Sequence, residues 1–137
     1  MKTIYNSPSD LVSALSPGSP LIQMSSIVKI FHTTAGNITV LKGIDAEIFP
    51  GEFVSIVGRS GSGKSTLLNM LTGIDHPTSG SVTIGGTMLH TLNESQLASW
   101  RGRNMGIVFQ FFQLLPMLTL IEKAEAAFDA QEAARME

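Results

Sequence analysis

The sequence contains no cysteine, which excludes disulfide bonds and thiolate metal sites from this chain. Charge is also sparse, at 15% of the 137 residues with a formal net charge of -2, so no basic excess favours binding to nucleic acid. No apolar run approaches the roughly 18 residues of a membrane-spanning helix, and the best candidate, residues 111–121, is interrupted by Gln113 and Pro116. The 43% of hydrophobic residues still predicts a globular chain, and we expect a soluble, cytoplasmic one.

The character of the sequence changes near residue 25. Residues 1–24 are punctuated by Ser, Pro and Gly, and we expect them to form a flexible leader. Short β-rich or alternating runs then predict strands at residues 27–31, 38–41 and 44–48. Because a turn at residues 35–37 would join the first two, we expect an N-terminal antiparallel β portion.

Strands then alternate with helices. Residues 53–57 form a nearly continuous apolar run, typical of a strand buried on both faces of a parallel sheet. After a glycine-rich loop, three leucines share one face of a helix predicted over residues 65–71. Further strands are predicted at residues 81–84 and 105–109, and capping-box spacings at Thr91 and Thr119 predict two more helices. This order indicates an α/β fold with a parallel core of strand, loop and helix.

The glycine-rich loop carries the strongest functional signal. It matches the phosphate-loop (Walker A) pattern G-x-x-x-x-G-K-[ST] in full, and it lies in the required setting, after an apolar strand and before a helix. Its residues are Gly58, Arg59, Ser60, Gly61, Ser62, Gly63, Lys64, Ser65 and Thr66. An ordinary flexible Gly/Ser loop, the alternative interpretation, accounts poorly for the complete motif in this setting.

The residue types of this loop suit a polyphosphate. Glycines leave the backbone N–H groups open to converge on phosphate oxygens, and the helix that follows directs its positive dipole end at the same anion. We expect Lys64 to reach the β- and γ-phosphates of ATP, and the Ser65 hydroxyl to coordinate Mg²⁺, which prefers hard oxygen ligands. Charge-assisted hydrogen bonds contribute about 1.5–3 kcal/mol each against an association cost of about 4–15 kcal/mol, so base or ribose contacts must add affinity.

Several segments around the loop resemble the nucleotide-binding domains of ABC transporters. They are GEFVSIV at residues 51–57, STLLN at 65–69, DHPTSGSV at 75–82 and the Q-loop-like MGIVFQ at 105–110. Continuing through residues 111–119, the sequence is most similar to the lipoprotein-release and macrolide-export branch of that family. The match covers residues 27–122. It implies a P-loop NTPase fold and an ATP-binding component whose hydrolysis of ATP drives export or lipoprotein release.

The resemblance also assigns roles to features outside the loop. Phe31 corresponds to the aromatic residue that stacks on adenine, although the family more often has tyrosine there; the alternative is a core aromatic. Gln110 corresponds to the glutamine that touches Mg²⁺ and the attacking water; the alternative is a polar strand-end residue. Residues 111–118 correspond to the surface that meets the membrane subunit; the alternative is simple core. Lys64 and Gln110 would then be catalytic, with Ser65 and Gln110 at the metal.

Other motifs of the family are missing after Gln110. The resemblance implies a Leu-Ser-Gly-Gly-Gln signature, a Walker B strand ending in Asp-Glu and a switch histidine, and none is present. The nearest Walker B candidate, residues 126–129, is followed by Ala130 and lies in an Ala/Glu-rich helical setting. We therefore expect an incomplete ABC-type ATPase domain at residues 25–122 and a divergent C-terminal helix at 123–137, with very slow hydrolysis by this chain alone.

Three hypotheses remain. The leading one is an energy-coupling ATPase piece at the inner face of the cell membrane, with a transmembrane permease subunit and a second ATPase domain as partners. The second is a module that binds nucleotide or docks a partner without turnover. The third, a small kinase or GTPase, lacks support because no Asn-Lys-x-Asp motif is present. In the first two cases, an apolar strand edge without a neighbour would make the isolated chain poorly soluble or partly molten.

Overall fold

The computed structural model describes residues 8–108, which form one antiparallel sheet and three helices. The strands are β1 (Ile22–Thr33), β2 (Gly36–Ile48), β3 (Ser79–Ile84) and β4 (Thr87–Met88), hydrogen-bonded in the order β2-β1-β3-β4. The helices are α1 (Pro8–Ala14), α2 (Lys64–Thr72) and α3 (Glu94–Asn104), with a 3-10 turn at Leu89–Thr91.

The N-terminal antiparallel β portion is confirmed as a long hairpin. Its pairing runs from Ile22 opposite Ile48 to Thr33 opposite Gly36, so the chain reverses over two residues. The runs predicted separately at residues 38–41 and 44–48 belong to one strand, in which Lys42 between them pairs with Val28 of β1. Register shifts interrupt the ladder, and at one of them the Ser26 N–H donates to the Asp45 carboxylate at 2.7 Å.

The core lies where this sheet meets α2 and α3. Its most buried large side chains, Ile27, Met70 and Leu97, come from β1, α2 and α3 in turn. Full burial of each contributes about 1.5–3 kcal/mol, so the three elements stabilise one another. Leu97 packs so closely on Gly73 that a Cβ there would lie 3.0 Å from its methyl carbons, and the Arg101 guanidinium donates to the Gly73 carbonyl at 2.9 Å. The end of α2 is therefore fixed by α3.

The predicted helix after the glycine-rich loop is confirmed within one residue at each end. It closes at Gly73, whose left-handed backbone (φ 68°) is the conformation that glycine adopts without steric cost. The cap of α3 differs from the prediction. Asn93, not Thr91, forms the capping box, with Gln96 as its partner. Thr91 instead donates its hydroxyl to the Met88 carbonyl, which holds it in the 3-10 turn.

The predicted flexible leader is wrong for its described part, residues 8–24. Helix α1 occupies part of it, and Leu11 is buried against Gly85, where an added Cβ would lie 2.6 Å from its methyl carbon. Strand β1 already begins at Ile22, which pairs with Ile48 on one side and Ile84 on the other. This tertiary contact and this double pairing order the stretch despite its Ser, Pro and Gly content.

The buried parallel strand predicted at residues 53–57 is a second correction. No strand occurs there, and Phe53 and Val57 are 99% and 85% exposed. Residues 105–108 of another predicted strand likewise have no regular structure, and Val108 is 89% exposed. The physical reason is that within residues 8–108 no neighbouring strand hydrogen-bonds to either segment, and a buried strand requires neighbours.

Candidate functional site

The glycine-rich loop is shaped by two glycines with left-handed backbones. Gly61 has φ 77°, and Gly63, which caps α2, has φ 98°. Between them, the Ser62 N–H donates to the Arg59 carbonyl at 3.1 Å and closes a turn. Because residues with a side chain rarely adopt this backbone conformation, the glycines let the chain turn back on itself directly before the helix. Residues 58–62 are exposed, so the surface of this turn is open to a ligand.

Lys64 folds back over the loop. Its ammonium donates to the carbonyls of Gly58 and Arg59 at 2.8 and 2.7 Å, and to the Ser62 hydroxyl at a longer 3.4 Å. Two strong bonds hold the charge within the loop, whereas the third is at the limit of hydrogen bonding. The geometry therefore leaves one ammonium N–H available to an incoming anion without releasing the other two.

The start of α2 offers further donors. Gly63 supplies no side-chain cap, and the first turn of the helix contains no acidic residue. Its N–H groups and positive dipole end are thus free of a competing carboxylate. Ser65 is exposed, and within the described part of the chain its hydroxyl has no hydrogen-bond partner, while Thr66 is half-buried. This combination of one cation, open N–H groups and a free hydroxyl fits phosphate oxygens with an accompanying hard cation.

The loop is seated against strand β2. A Cβ on Gly63 would lie 3.0 Å from Val40 Cγ1 and 3.2 Å from Leu41 Cδ2. A Cβ on Gly58 would lie 2.6 Å from the Ser62 hydroxyl. Gly63 is therefore needed for close packing on β2 as well as for its backbone conformation, whereas a side chain at Gly58 would displace the Ser62 hydroxyl. The motif predicts the glycines but contains no indication of their neighbours on β2, which sequence reasoning missed.

Phe31 lies on β1 near the hairpin turn, opposite Ile38 of β2. Its side chain is 39% exposed, which contradicts the alternative of a core aromatic. The ammonium of Lys29 lies over the ring at 5.1 Å from its centroid. The loop itself packs on Val40 and Leu41 further along β2, so the hairpin carries both features.

Lys29 was not predicted as a functional residue, and the structure gives it several partners. Its ammonium donates to Asp75 Oδ1 at 2.9 Å and to the His76 carbonyl at 2.8 Å. Burial raises the pKa of Asp75, but hydrogen bonds from Lys29 and from the His76 N–H outweigh it, so the pKa of Asp75 lies below its ordinary value. The sequence feature that could have pointed to Lys29 is its position two residues before Phe31 on an apolar strand.

Other predicted site residues lie outside the described range. They are Gln110 and the apolar surface at residues 111–118, and the helix predicted at residues 123–137 lies outside this range as well. Within residues 8–108, no helix has both the length and the apolar character needed to cross a membrane. The same residues contain no group of three or more His, Asp or Glu side chains arranged to hold a metal ion.

Comparison with known proteins places this geometry in a family. The family described as "ABC transporter" matches residues 41–137, which includes the stretch after residue 122 where we predicted divergence. The lipoprotein-releasing system ATP-binding protein LolD of Bacteroides thetaiotaomicron is 48% identical over 102 residues, covering 74% of this chain and 45% of that protein. The macrolide export ATP-binding/permease protein MacB of Brucella abortus is 46% identical over 108 residues, covering 79% of this chain and 17% of that protein.

Solved structures give the same result. The dimeric structure of MJ0796, a bacterial ABC transporter cassette, superposes with a TM-score of 0.74 at 36% identity, covering 84% of this chain and 53% of that one. A post-hydrolysis state of MJ0796 bound to ADP and Pi matches equally well, at 35% identity. The chain spans about half the length of LolD and of this cassette. The predicted α/β fold of the ABC-type P-loop NTPases is confirmed, and the chain belongs to the ABC transporter family.

Proposed function

We propose that this chain supplies the phosphate-loop portion of the ATP-binding, energy-coupling component of an ABC transporter, and that residues 58–66 bind Mg–ATP. The observation that carries the proposal is the position of Lys64, whose ammonium is held by two loop carbonyls beside a helix start without acidic residues. A cation and N–H donors that converge on one exposed turn suit a polyphosphate better than any neutral ligand.

Each part of the loop has a distinct task in binding. Lys64 keeps its bonds to Gly58 and Arg59 and exchanges its long contact with Ser62 for a phosphate oxygen. The N–H groups at the start of α2 receive the same group of oxygens. The exposed Ser65 hydroxyl would be a ligand for Mg²⁺, which would supply positive charge to offset that of the phosphates.

The assembly around this loop is proposed from the relatives. The names of LolD and MacB refer to lipoprotein release and macrolide export, and that of MacB also includes a permease part. By analogy, we propose a transmembrane permease partner, a second ATPase domain and a location at the cytoplasmic face of the membrane. Gln110 would then contact the metal, and residues 111–118 would contact the permease.

Hydrolysis is a separate question from binding. The sequence contains neither the Walker B Asp-Glu pair nor the signature motif that the family resemblance implies for hydrolysis. The second candidate function is a nucleotide-binding or partner-docking module without turnover. The two candidates agree on ATP binding and differ in whether the chain alone releases phosphate.

A titration with a fluorescent ATP analogue, paired with a phosphate-release assay, tests the proposal. We expect saturable Mg-dependent binding by the full chain, weakened at least about tenfold by Lys64→Met, since a charged hydrogen bond contributes about 1.5–3 kcal/mol. Lys42→Met is the matched control, because Lys42 is exposed on β2 and should leave affinity unchanged. Equal binding by the Lys64 variant and the wild-type chain would refute the proposed site. Phosphate release abolished by Lys64→Met would eliminate the second candidate.

A further inference from the structure

We propose that Lys29 is a positioning residue for the base of the nucleotide, because it holds the Phe31 ring and connects that ring to the segment that follows the phosphate-loop helix. The inference rests on the proposed function, since it concerns the base of the same nucleotide. It adds a residue outside the motif and names the interaction through which that residue acts.

The geometry around Lys29 fits this role. Its side chain is only 13% exposed, and its ammonium is held by Asp75 Oδ1 at 2.9 Å and the His76 carbonyl at 2.8 Å. The same ammonium lies 5.1 Å from the centroid of the Phe31 ring, within the range of a cation–π contact. A cation fixed by two hydrogen bonds restrains a ring far better than a mobile surface lysine would. The ring remains 39% exposed, so it retains surface for a planar ligand.

The partners of Lys29 belong to the segment that leaves α2. Asp75 donates its N–H to the Asn69 carbonyl of that helix at 3.2 Å. Thr78 pairs with β1 on either side of Lys29, donating its N–H to Val28 and accepting the Ile30 N–H at its hydroxyl, at 2.8 and 2.9 Å. Lys29 therefore joins the helix that carries Lys64 at one end to the strand that carries Phe31.

A planar base is the ligand chemistry that such a ring would receive. Aromatic rings stack on the flat faces of bases, and the fixed ammonium sets the orientation of the ring before the ligand arrives. Removing the cation should therefore weaken ligands that carry a base and spare those that do not. A purely structural salt bridge would affect both classes alike, through the stability of the fold.

The test compares ATP with inorganic triphosphate on the full chain by calorimetry. We expect Lys29→Met to weaken ATP binding about two- to fivefold, the range of an exposed to partly buried cation–π contact, with unchanged triphosphate binding. Lys29→Arg keeps a cation and should restore ATP affinity. In a Phe31→Leu background, Lys29→Met should have no further effect on ATP. Lys42→Met serves as the charge-matched control on the same sheet.

Asp75→Asn provides an independent variant, since it keeps the lysine and removes its anchor; we expect a smaller loss in the same direction. Any of three results would overturn the inference. Lys29→Met could weaken ATP and triphosphate equally, the effects of the Lys29 and Phe31 substitutions on ATP binding could be additive, or either the Lys29 or the Asp75 variant could bind ATP as tightly as the wild-type chain. Lack of binding of either ligand by the folded wild-type chain would overturn the proposed function and this inference with it. Triphosphate binding with unaltered base selectivity would overturn the inference alone.

Discussion

Replacing Gly63 by alanine should destabilise the chain more than the same change at Gly61, two residues away. Both glycines have left-handed backbones, with φ 98° and 77°, and a side chain in this region costs about 1–2 kcal/mol. At Gly61 the new methyl would meet nothing within 4 Å, so the backbone cost stands alone. At Gly63 it would lie 3.0 Å from Val40 Cγ1, and overpacking of this kind costs about 1–3 kcal/mol more.

The total of about 2–5 kcal/mol at Gly63 is a large part of the stability of an ordinary domain, about 5–15 kcal/mol. Urea denaturation of both variants measures the difference between the two positions directly. A Gly63→Ala/Val40→Ala double variant should recover part of the packing cost, because the obstructing methyl group is gone. Equal destabilisation at Gly61 and Gly63, or no coupling between Gly63 and Val40, would refute the seating of the loop on β2.

Three further predictions concern stability and association. Asn93→Ala should lower the free energy of unfolding by about 0.5–2 kcal/mol, whereas Thr91→Ala should cost less in the same urea assay, because Asn93 caps α3. Because the pKa of Asp75 is lowered in the folded state, its contribution to stability is complete above the unfolded-state pKa of about 3.9 and is lost as the pH falls through the folded-state pKa. Asp75→Asn should remove this part of the acid dependence of the free energy of unfolding. Phe53→Ser should reduce self-association measured by light scattering and change the free energy of unfolding by no more than about 0.5 kcal/mol, because Phe53 is exposed; buried Leu97 is the contrast, and Leu97→Ala should cost about 2–5 kcal/mol. Unchanged light scattering by the Phe53 variant would show that the exposed Phe53 side chain does not drive self-association.

Local signals predicted the elements whose structure is decided locally. Helix α2 ends at the predicted glycine, and Leu67 and Leu71 of its predicted leucine face pack in the core, whereas Leu68 is 49% exposed. The hairpin strands follow their β-rich runs, and the phosphate loop takes the tight turn that its glycines permit. In each case the conformation depends on residues within a few positions, so the sequence pattern was sufficient.

The missed features depend on contacts between distant residues. The run at residues 53–57 has the composition of a buried strand, but burial requires a neighbouring strand that residues 8–108 do not provide. Helix α1 is stabilised by Leu11 against Gly85, a contact that no local pattern reveals. The Lys29–Asp75 pair spans 46 positions, so neither residue marks the other in the sequence. The capping box predicted at Thr91 forms at Asn93 instead, because Thr91 is held in the 3-10 turn by its hydrogen bond to Met88.

Isothermal titration calorimetry of the full chain with Mg–ATP tests the central claim most directly, because it reports heat and stoichiometry without a label. We predict uptake of one nucleotide per chain, abolished or strongly weakened by Lys64→Met and unchanged by Lys42→Met. Folded wild-type protein that takes up no Mg–ATP would contradict the account of the loop as a phosphate site.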